Sequence, residues 1–219
     1  MNESGVLIPS ERKGGTIRLK GRLHLPESAG PAPGVVVCHP HPAGGGEMDV
    51  GLIGLLANGL CSTGMAALRF NFAGVGGSEG VFSDGVEEPG DVHAAFDYLK
   101  GLPEVDADRI SIAGWSFGAW MGLMAVAGGL PAKAIVAIAP PLIAYEWWGN
   151  TRALAASATE RYYIAGDRDQ FCPLNTLNDF AVDISEEDVK NVSILTGADH
   201  FLIRRETEVI GLAVARLRA

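Results

Sequence analysis

The chain is poor in cysteine, in positive charge and in long apolar stretches. Its three cysteines, Cys38, Cys61 and Cys172, form no CxxC pair, so they indicate neither a disulfide framework nor a zinc site. Lys and Arg number 17 against 26 Asp and Glu, and the net charge of -9 argues against a nucleic-acid partner. No apolar run approaches the roughly 20 residues of a membrane-spanning helix, so we expect no membrane partner either.

The amino terminus lacks the features of a targeting segment. Met1 to Gly5 contains no basic start, no long apolar stretch and no small-residue cleavage site, which predicts a cytoplasmic location. The 219 residues suffice for one well-buried core, and a content of 47% hydrophobic residues argues against disorder. We expect a single domain over residues 1–219, whose oligomeric state the sequence leaves open.

Short apolar runs alternate with segments of helical length, which predicts an α/β protein with a mostly parallel central sheet and helices on both faces. A stretch of period two from Thr16 to Leu25 precedes them and predicts a strand with one wet face, antiparallel at the sheet edge. The runs are 35–38, 66–70, 110–113, 135–138 and 162–165, and the expected helices are 50–62, 89–99, 116–127, 174–182 and 201–217. Residues 140–157 form the one candidate insertion, which is too short for a separate cap domain.

A GxSxG motif at residues 114–118 lies between one of these runs and a helical pattern. A strand, a sharp turn and a helix in this order hold a serine hydroxyl at the carboxyl end of the strand. We therefore interpret Ser116 as a nucleophile rather than a buried helix-cap serine. A second match centred on Ser78 leads into a segment without helical periodicity, so we interpret it as a loop.

A serine nucleophile needs an imidazole base and a carboxylate that holds this base in the productive tautomer. Of the five histidines, only His200 follows Ser116 in the chain, and we assign it as the base rather than as a helix cap. Asp167 and Asp169 both follow the run 162–165. We favour Asp169, which lies farther beyond the strand end, and keep Asp167 as the alternative. Asp199 is expected to shape the turn beside His200.

The tetrahedral intermediate of acyl transfer requires two backbone N–H donors. Phe117, directly after the nucleophile, supplies the first candidate. The second is expected in the sequence His-Pro-His-Pro that follows the run 35–38, where the prolines carry no N–H and leave His41, with Ala43 behind it. An HxH pair also binds metals, but no suitable third ligand follows, so we expect neither a metal nor a cofactor.

The order of these motifs along the chain resembles the order found in the α/β-hydrolase superfamily. More narrowly, the chain is similar to small bacterial serine hydrolases without a cap, near the dienelactone-hydrolase and prolyl-oligopeptidase-like branches, from about Pro33 to Phe201. The resemblance implies a catalytic triad of Ser116, Asp169 and His200, and an oxyanion hole formed by the N–H groups of His41 and Phe117. It also identifies the Ser78 motif as a family loop. A serine replaces the cysteine of dienelactone hydrolases, and the HGGG loop of many lipases is absent.

The resulting hypothesis is a serine hydrolase that cleaves small carboxylic esters, with thioesters and small amides chemically open to the same triad. The alternative is an α/β-hydrolase fold that binds a ligand or a partner without catalysis. Aromatic residues near the catalytic loops are candidate walls of a shallow substrate cleft, although core packing is the more common role for any single aromatic residue. These candidate wall residues are Phe82, Trp115, Trp147 and Trp148, with Phe117, Tyr145, Phe171 and Phe201 as further candidates.

Overall fold

A computed structural model describes residues 2–27, 29–146 and 149–218. The strands are β1 (Asn2–Arg12), β2 (Gly15–Leu25), β3 (Ala32–Cys38), β4 (Ala66–Phe70), β5 (Val105–Trp115), β6 (Ala134–Ile138), β7 (Glu160–Gly166) and β8 (Val192–Leu195). The α-helices are α1 (Gly51–Ser62), α2 (Glu88–Lys100), α3 (Phe117–Ala127), α4 (Thr151–Ala156), α5 (Leu174–Ile184), α6 (Glu186–Lys190) and α7 (Glu206–Leu217).

The eight strands form one sheet in the order β1-β2-β4-β3-β5-β6-β7-β8. From β4 through β8 every neighbouring pair is parallel, whereas β1 pairs antiparallel with β2, and β2 antiparallel with β4. The predicted mixed sheet with an antiparallel amino-terminal edge is therefore confirmed. Since β5 lies between β3 and β6, the turn that follows it opens at the centre of the sheet's carboxyl edge.

Two hydrophobic cores cover the two faces of this sheet. Successive residues of a strand point to opposite faces, so Val36 enters one core while Val35 and Val37 enter the other. The core around Val36 receives side chains of α2, α3 and α5, and the opposite core receives those of α1 and α7. Burial on both faces explains why these strands are continuous apolar runs in the sequence.

The amino-terminal edge differs from the prediction, because an additional strand lies outside the expected one. β1 pairs with β2 along its whole length, and the two are joined by a tight turn in which Gly15 has a φ of 116°. Pro9 interrupts the apolar pattern of β1, and proline is tolerated there because the outer side of an edge strand needs no hydrogen-bond donor. The predicted edge strand is therefore the second strand of the sheet.

The last helix also differs from the prediction, which placed its start at residue 201. α7 begins at Glu206, because the preceding segment turns through Leu202 and Arg204 with positive φ angles of 56° and 64°. Leu202 is buried in the core on the α7 side. This turn places Phe201 beside His200 instead of on a helix face. Two short helices, α4 and α6, were not predicted.

Two close backbone contacts bring the ends of separate strands together at the carboxyl edge. A Cβ on Gly118 would lie 2.3 Å from the carbonyl oxygen of Cys38 and 2.6 Å from that of His39. A Cβ on Gly166 would lie 2.1 Å from the carbonyl oxygen of Ala198. Only glycine permits either approach. The first turn of α3 therefore packs directly on the end of β3, and the end of β7 packs on the loop after β8.

No helix in the ranges 2–27, 29–146 and 149–218 is long and apolar enough to cross a membrane.

We expect Gly118→Ala to destabilise the protein, because the new methyl group meets backbone atoms that cannot move away independently. Overpacking of this kind costs about 1–3 kcal/mol or more. Gly211→Ala is a matched control: Gly211 lies in α7, and a Cβ there would meet no atom within 4 Å. The control should stabilise the fold by about 0.5–1 kcal/mol. Urea denaturation of both variants tests this, and equal stability of the two would contradict the close contact.

Candidate active site

Ser116 lies in the turn between β5 and α3, at the middle of the carboxyl edge. Its backbone has φ 54° and ψ -120°, a conformation that costs a non-glycine residue about 1–3 kcal/mol. The Ser116 N–H donates to the carbonyl of Ile138 at 2.8 Å, which fixes the turn to the end of β6. The side chain is nearly buried, with 7% of the residue exposed. The fold thus holds a strained turn that presents one hydroxyl.

His200 lies on the loop between β8 and α7 and reaches this hydroxyl. Its Nε2 atom is 2.8 Å from Ser116 Oγ. The carbonyl of His200 accepts a hydrogen bond from Trp115 Nε1 at 3.2 Å, so the residue before Ser116 holds the backbone of the histidine. The ring of Phe171 lies 4.7 Å and that of Phe201 5.9 Å from the imidazole centroid. Three aromatic side chains therefore keep His200 in place.

Asp169 lies on the loop after β7 and contacts the other nitrogen of this imidazole. His200 Nδ1 is 3.0 Å from Oδ1 and 2.9 Å from Oδ2 of Asp169. Asp169 Oδ1 also accepts the N–H groups of Phe171 and Cys172, at 2.8 and 2.9 Å. These two donors fix the orientation of the carboxylate toward the imidazole. With Nδ1–H directed at Asp169, Nε2 is free to accept the Ser116 proton.

The alternative carboxylate, Asp167, has a different partner. It accepts the N–H of Gly197 at 2.7 Å and so links the loops that carry Asp169 and His200. Asp199 accepts the N–H of Phe201 at 3.0 Å, within its own turn.

Ser78, in the second GxSxG match, is engaged in the loop after β4. Its hydroxyl donates to the carbonyl of Asn71 at 2.7 Å and accepts the N–H of Lys20 at 2.9 Å. Gly76 and Gly77 on its amino-terminal side and Gly80 after it have positive φ angles. The motif thus ties a glycine-rich loop to β2.

The His-Pro-His-Pro segment forms a loop at the end of β3, and its two imidazoles face different partners. His39 is buried, and its ring nitrogens contact the carbonyl of Pro40 at 2.7 Å and the N–H of Phe72 at 3.2 Å. His41 accepts the N–H of Ala43 on Nδ1 and contacts Asp84 through Nε2, at 3.1 and 2.9 Å. The residues described include no group of three potential metal ligands.

Hydrogen bonding within this loop distinguishes His41 from Ala43 as the second candidate oxyanion donor. Because Ala43 donates its N–H to His41 Nδ1, this N–H is already engaged, which leaves His41 as the better candidate. Phe117 is the first residue of α3, where the helix dipole favours negative charge. The contact of Gly118 with the end of β3 brings the Phe117 turn close to the His41 loop.

A cavity of about 490 Å³ opens beside Ser116 and His200. Among its lining residues as described, Asp84 is the one Asp, Glu, Lys or Arg. Tyr145 adds a phenol, which is neutral at pH 7, and burial and the nearby charges of Asp84 and Glu88 raise its pKa further, to about 12. The lining residues are Pro40, His41, Gly44, Asp84, Trp115, Ser116, Phe117, Pro141, Ala144, Tyr145, Phe171, His200 and Phe201.

Only some of the aromatic residues expected in the cleft wall line this cavity. Trp115 lines the cavity and also anchors His200. Phe82 lies behind the lining, with its ring 5.2 Å from His41 and 5.4 Å from Phe117. Trp147 and Trp148 fall outside the described residues. In the candidate insertion, residues 141–145 contribute to the wall and α4 follows.

Sequence reasoning missed Asp84 and the carboxylate that shapes its loop. Glu88 is fully buried at the start of α2 and accepts the N–H groups of Ser83 and Gly85, both at 2.7 Å, as well as the Ser83 hydroxyl. Asp84 between them has a φ of 55° and reaches His41. No spacing rule connects residues 43 positions apart, so the sequence carried no signal for this pair.

Comparisons with known proteins agree with this fold. The chain is 32% identical to an uncharacterised protein of Rickettsia prowazekii over 200 residues, which cover 90% of this chain and 82% of that protein. An α/β serine hydrolase homologue from Coxiella burnetii has 29% identity and a TM-score of 0.83, and the alignment covers 99% and 98% of the two chains.

An α/β serine hydrolase without a lid from Xanthomonas campestris has 25% identity and a TM-score of 0.80, over 98% of this chain and 93% of that one. Residues 14–175, most of the chain, match the X-Pro dipeptidyl-peptidase family, S15. This range includes Ser116 and Asp169. The chain is therefore a serine hydrolase of the α/β-hydrolase fold, and it belongs to the X-Pro dipeptidyl-peptidase (S15) family.

Proposed function

We propose that the protein is a carboxylesterase that acts on small, uncharged esters through an acyl-enzyme on Ser116. The observation that carries this proposal is the continuous line of hydrogen bonds from Ser116 Oγ through His200 to Asp169, at 2.8 Å and then 2.9–3.0 Å, beside a mostly apolar cavity. A serine hydroxyl in such a line is already paired with its base. The non-catalytic alternative gives no reason to maintain both this geometry and the strained turn.

The mechanism follows from the placement of the protons. His200 Nε2 accepts the Ser116 proton as Oγ attacks the ester carbonyl, and the carbonyl oxygen becomes an oxyanion that the N–H groups of Phe117 and His41 stabilise. His200 then gives the proton to the leaving alkoxide, and the alcohol departs. Water next attacks the acyl-enzyme, with His200 again as the base, and releases the acid. Asp169 holds the imidazole and stabilises its cationic form throughout.

The lining of the cavity favours a substrate with a small acyl group and little charge. Its wall combines aromatic rings with the neutral phenol of Tyr145, and Phe171 and Phe201 at its rim are 38% and 53% exposed. Asp84 is the one charged acid or base among the described lining residues, so a substrate carboxylate would meet a like charge. Esters bind through apolar contacts and need no ion pair, which fits this lining.

Cleavage of X-Pro peptides is the second candidate, because the family match bears the name of that activity. One feature of the site also favours it. The side chain of Asp84 is 72% exposed at the cavity, and His41 contacts only its Oδ1 atom. The second oxygen could pair with the free ammonium group of a short peptide.

The two candidates are separated by comparing 4-nitrophenyl butyrate with alanyl-proline 4-nitroanilide. We expect the ester to be cleaved with a kcat/KM above about 10⁴ M⁻¹s⁻¹, within the ordinary range of enzymes, and the anilide far more slowly. Glycyl-phenylalanine 4-nitroanilide is the control for any preference for proline. If the alanyl-proline anilide alone reaches that range, the protein is a peptidase and the esterase proposal is wrong.

Ser116→Ala should lower ester turnover by at least about four orders of magnitude, because no other group can form the acyl-enzyme. Ser78→Ala is the matched control, since it removes the hydroxyl of the other GxSxG motif. The control should keep most of the activity per folded molecule, at a cost in stability of about 1–3 kcal/mol from its lost hydrogen bonds. Initial rates corrected for folded fraction test both, and equal rates would disprove the assignment.

Asp169→Asn should reduce kcat by about 10⁴-fold, because the amide favours the wrong imidazole tautomer. Asp167→Asn should retain nearly all of the rate, since that side chain contacts Gly197 and not His200. Steady-state kinetics of both variants with one ester decide between the two carboxylates. A large loss in Asp167→Asn with a small one in Asp169→Asn would reverse the assignment.

A further inference from the structure

The Pro40–His41 peptide carries the N–H that the proposed mechanism uses as an oxyanion donor, and its carbonyl is already bound. The oxygen of Pro40 lies 2.7 Å from His39 Nδ1. His39 Nε2 is the acceptor for the Phe72 N–H, so Nδ1 carries the proton and donates to Pro40. In a trans peptide the N–H points opposite to the C=O. Among the described residues no peptide is cis.

The direction of the His41 N–H follows from this bond. His39 is fully buried, with its ring 4.8 Å from that of Phe72, so the Pro40 carbonyl points toward the interior. The N–H of the same peptide must therefore point the other way, and both Pro40 and His41 line the cavity. Burial lowers the pKa of His39 to about 4, so its imidazole is neutral at pH 7 and has a single proton to donate.

A second anchor holds the other side of this peptide through the ring of His41. Because His41 Nδ1 accepts the Ala43 N–H, Nε2 carries the proton and donates to Asp84 Oδ1 at 2.9 Å. The ring also lies between those of Phe82 and Phe117, each 5.2 Å away. Phe117 is the residue that offers the other proposed oxyanion donor. The ring of His41 thus ties the two donors together.

The position of Asp84 is itself imposed by a buried group. Glu88 is 0% exposed and binds the N–H groups on both sides of Asp84, those of Ser83 and Gly85. These bonds fix the loop in which Asp84 takes a φ of 55°. An exposed carboxylate on a free loop would not hold a histidine in one orientation, whereas this loop has a rigid base in α2.

We propose that His39 and Asp84 are positioning residues that clamp the Pro40–His41 peptide from two sides and so preset the oxyanion hole. The inference rests on the proposed function, since it assigns these residues to the same acyl transfer. The clamp explains why two histidines flank Pro40 although neither is placed to accept the Ser116 proton. Without it, rotation of one peptide plane would replace a donor by a carbonyl oxygen.

Asp84→Ala tests the exposed side of the clamp with little risk to the fold. We expect kcat for 4-nitrophenyl butyrate to fall by about ten- to a hundredfold, less than the loss of a whole donor, with KM nearly unchanged. The affinity for an aryl trifluoromethyl ketone, whose adduct on Ser116 places an oxyanion in the hole, should fall by the same factor. Asp84→Asn keeps an acceptor for His41 Nε2–H and should recover most of both.

Val86→Ala is the control in the same loop, because Val86 is 80% exposed, and it should match the wild type. His41→Ala keeps the backbone donor but removes the ring. The double variant His41→Ala, Asp84→Ala should lose little more kcat than either single variant, because both changes break the same contact. The proposal would be overturned if Asp84→Ala kept the wild-type kcat and ketone affinity, or if its effect were confined to KM. It would also be overturned if Asp84→Asn lost as much kcat and ketone affinity as Asp84→Ala.

His39→Phe tests the buried side of the clamp, since it keeps a ring against Phe72 but cannot donate to Pro40. We expect kcat and ketone affinity, per folded molecule, to fall at least as much as they do in Asp84→Ala. Unchanged values in folded protein would remove His39 from the clamp. Absence of any ketone adduct in the wild type would refute an activated Ser116, and the clamp with it, whereas a wild type that binds the ketone but spares esters contradicts only the esterase proposal.

Discussion

The candidate active site depends on a contact between two backbones, that of the first turn of α3 and that of the end of β3. Gly118 lies so close to the carbonyls of Cys38 and His39 that no side chain could stand between them. This contact places the turn of Ser116 beside the His-Pro-His-Pro loop. The nucleophile and both proposed oxyanion donors therefore come from two adjacent strands whose ends cannot separate. A second contact, between Gly166 and Ala198, does the same for the loops of Asp169 and His200.

Two buried carboxylates hold loops near these backbone contacts. Asp169 is 4% exposed and is held by two backbone N–H groups, while its neighbour His200 bridges it to Ser116. Glu88 is another buried carboxylate, and it accepts the N–H groups of Ser83 and Gly85 and the Ser83 hydroxyl. Both acids order loops at the sheet's carboxyl edge. Asp169 and Glu88 thus fix the shape of two loops near the Ser116 hydroxyl.

The sequence predicted the parts of the site that follow from chain order and local chemistry. Ser116 precedes a helix in a recognisable turn, and His200 is the one histidine after it. The contribution of β1 was missed because Pro9 interrupts its apolar pattern, and the start of α7 was misplaced because no sequence rule forces Leu202 and Arg204 into positive φ angles.

Asp84 was missed for a different reason. Its contact with His41 depends on Glu88, and so on a three-dimensional arrangement of two distant segments, the His41 loop and residues 83–88. Phe82 was expected in the cavity wall but lies behind the lining, because only packing decides whether an aromatic ring faces the cavity or supports a neighbour.

The most direct test of the account is intact-mass spectrometry of the wild-type protein after treatment with a fluorophosphonate, followed by peptide mapping. One adduct per chain is expected, located on Ser116, because among the residues described only that hydroxyl is paired with an imidazole and faces a cavity. Absence of an adduct on folded protein, or an adduct on Ser78, would contradict the central claim that the fold activates Ser116 as a nucleophile.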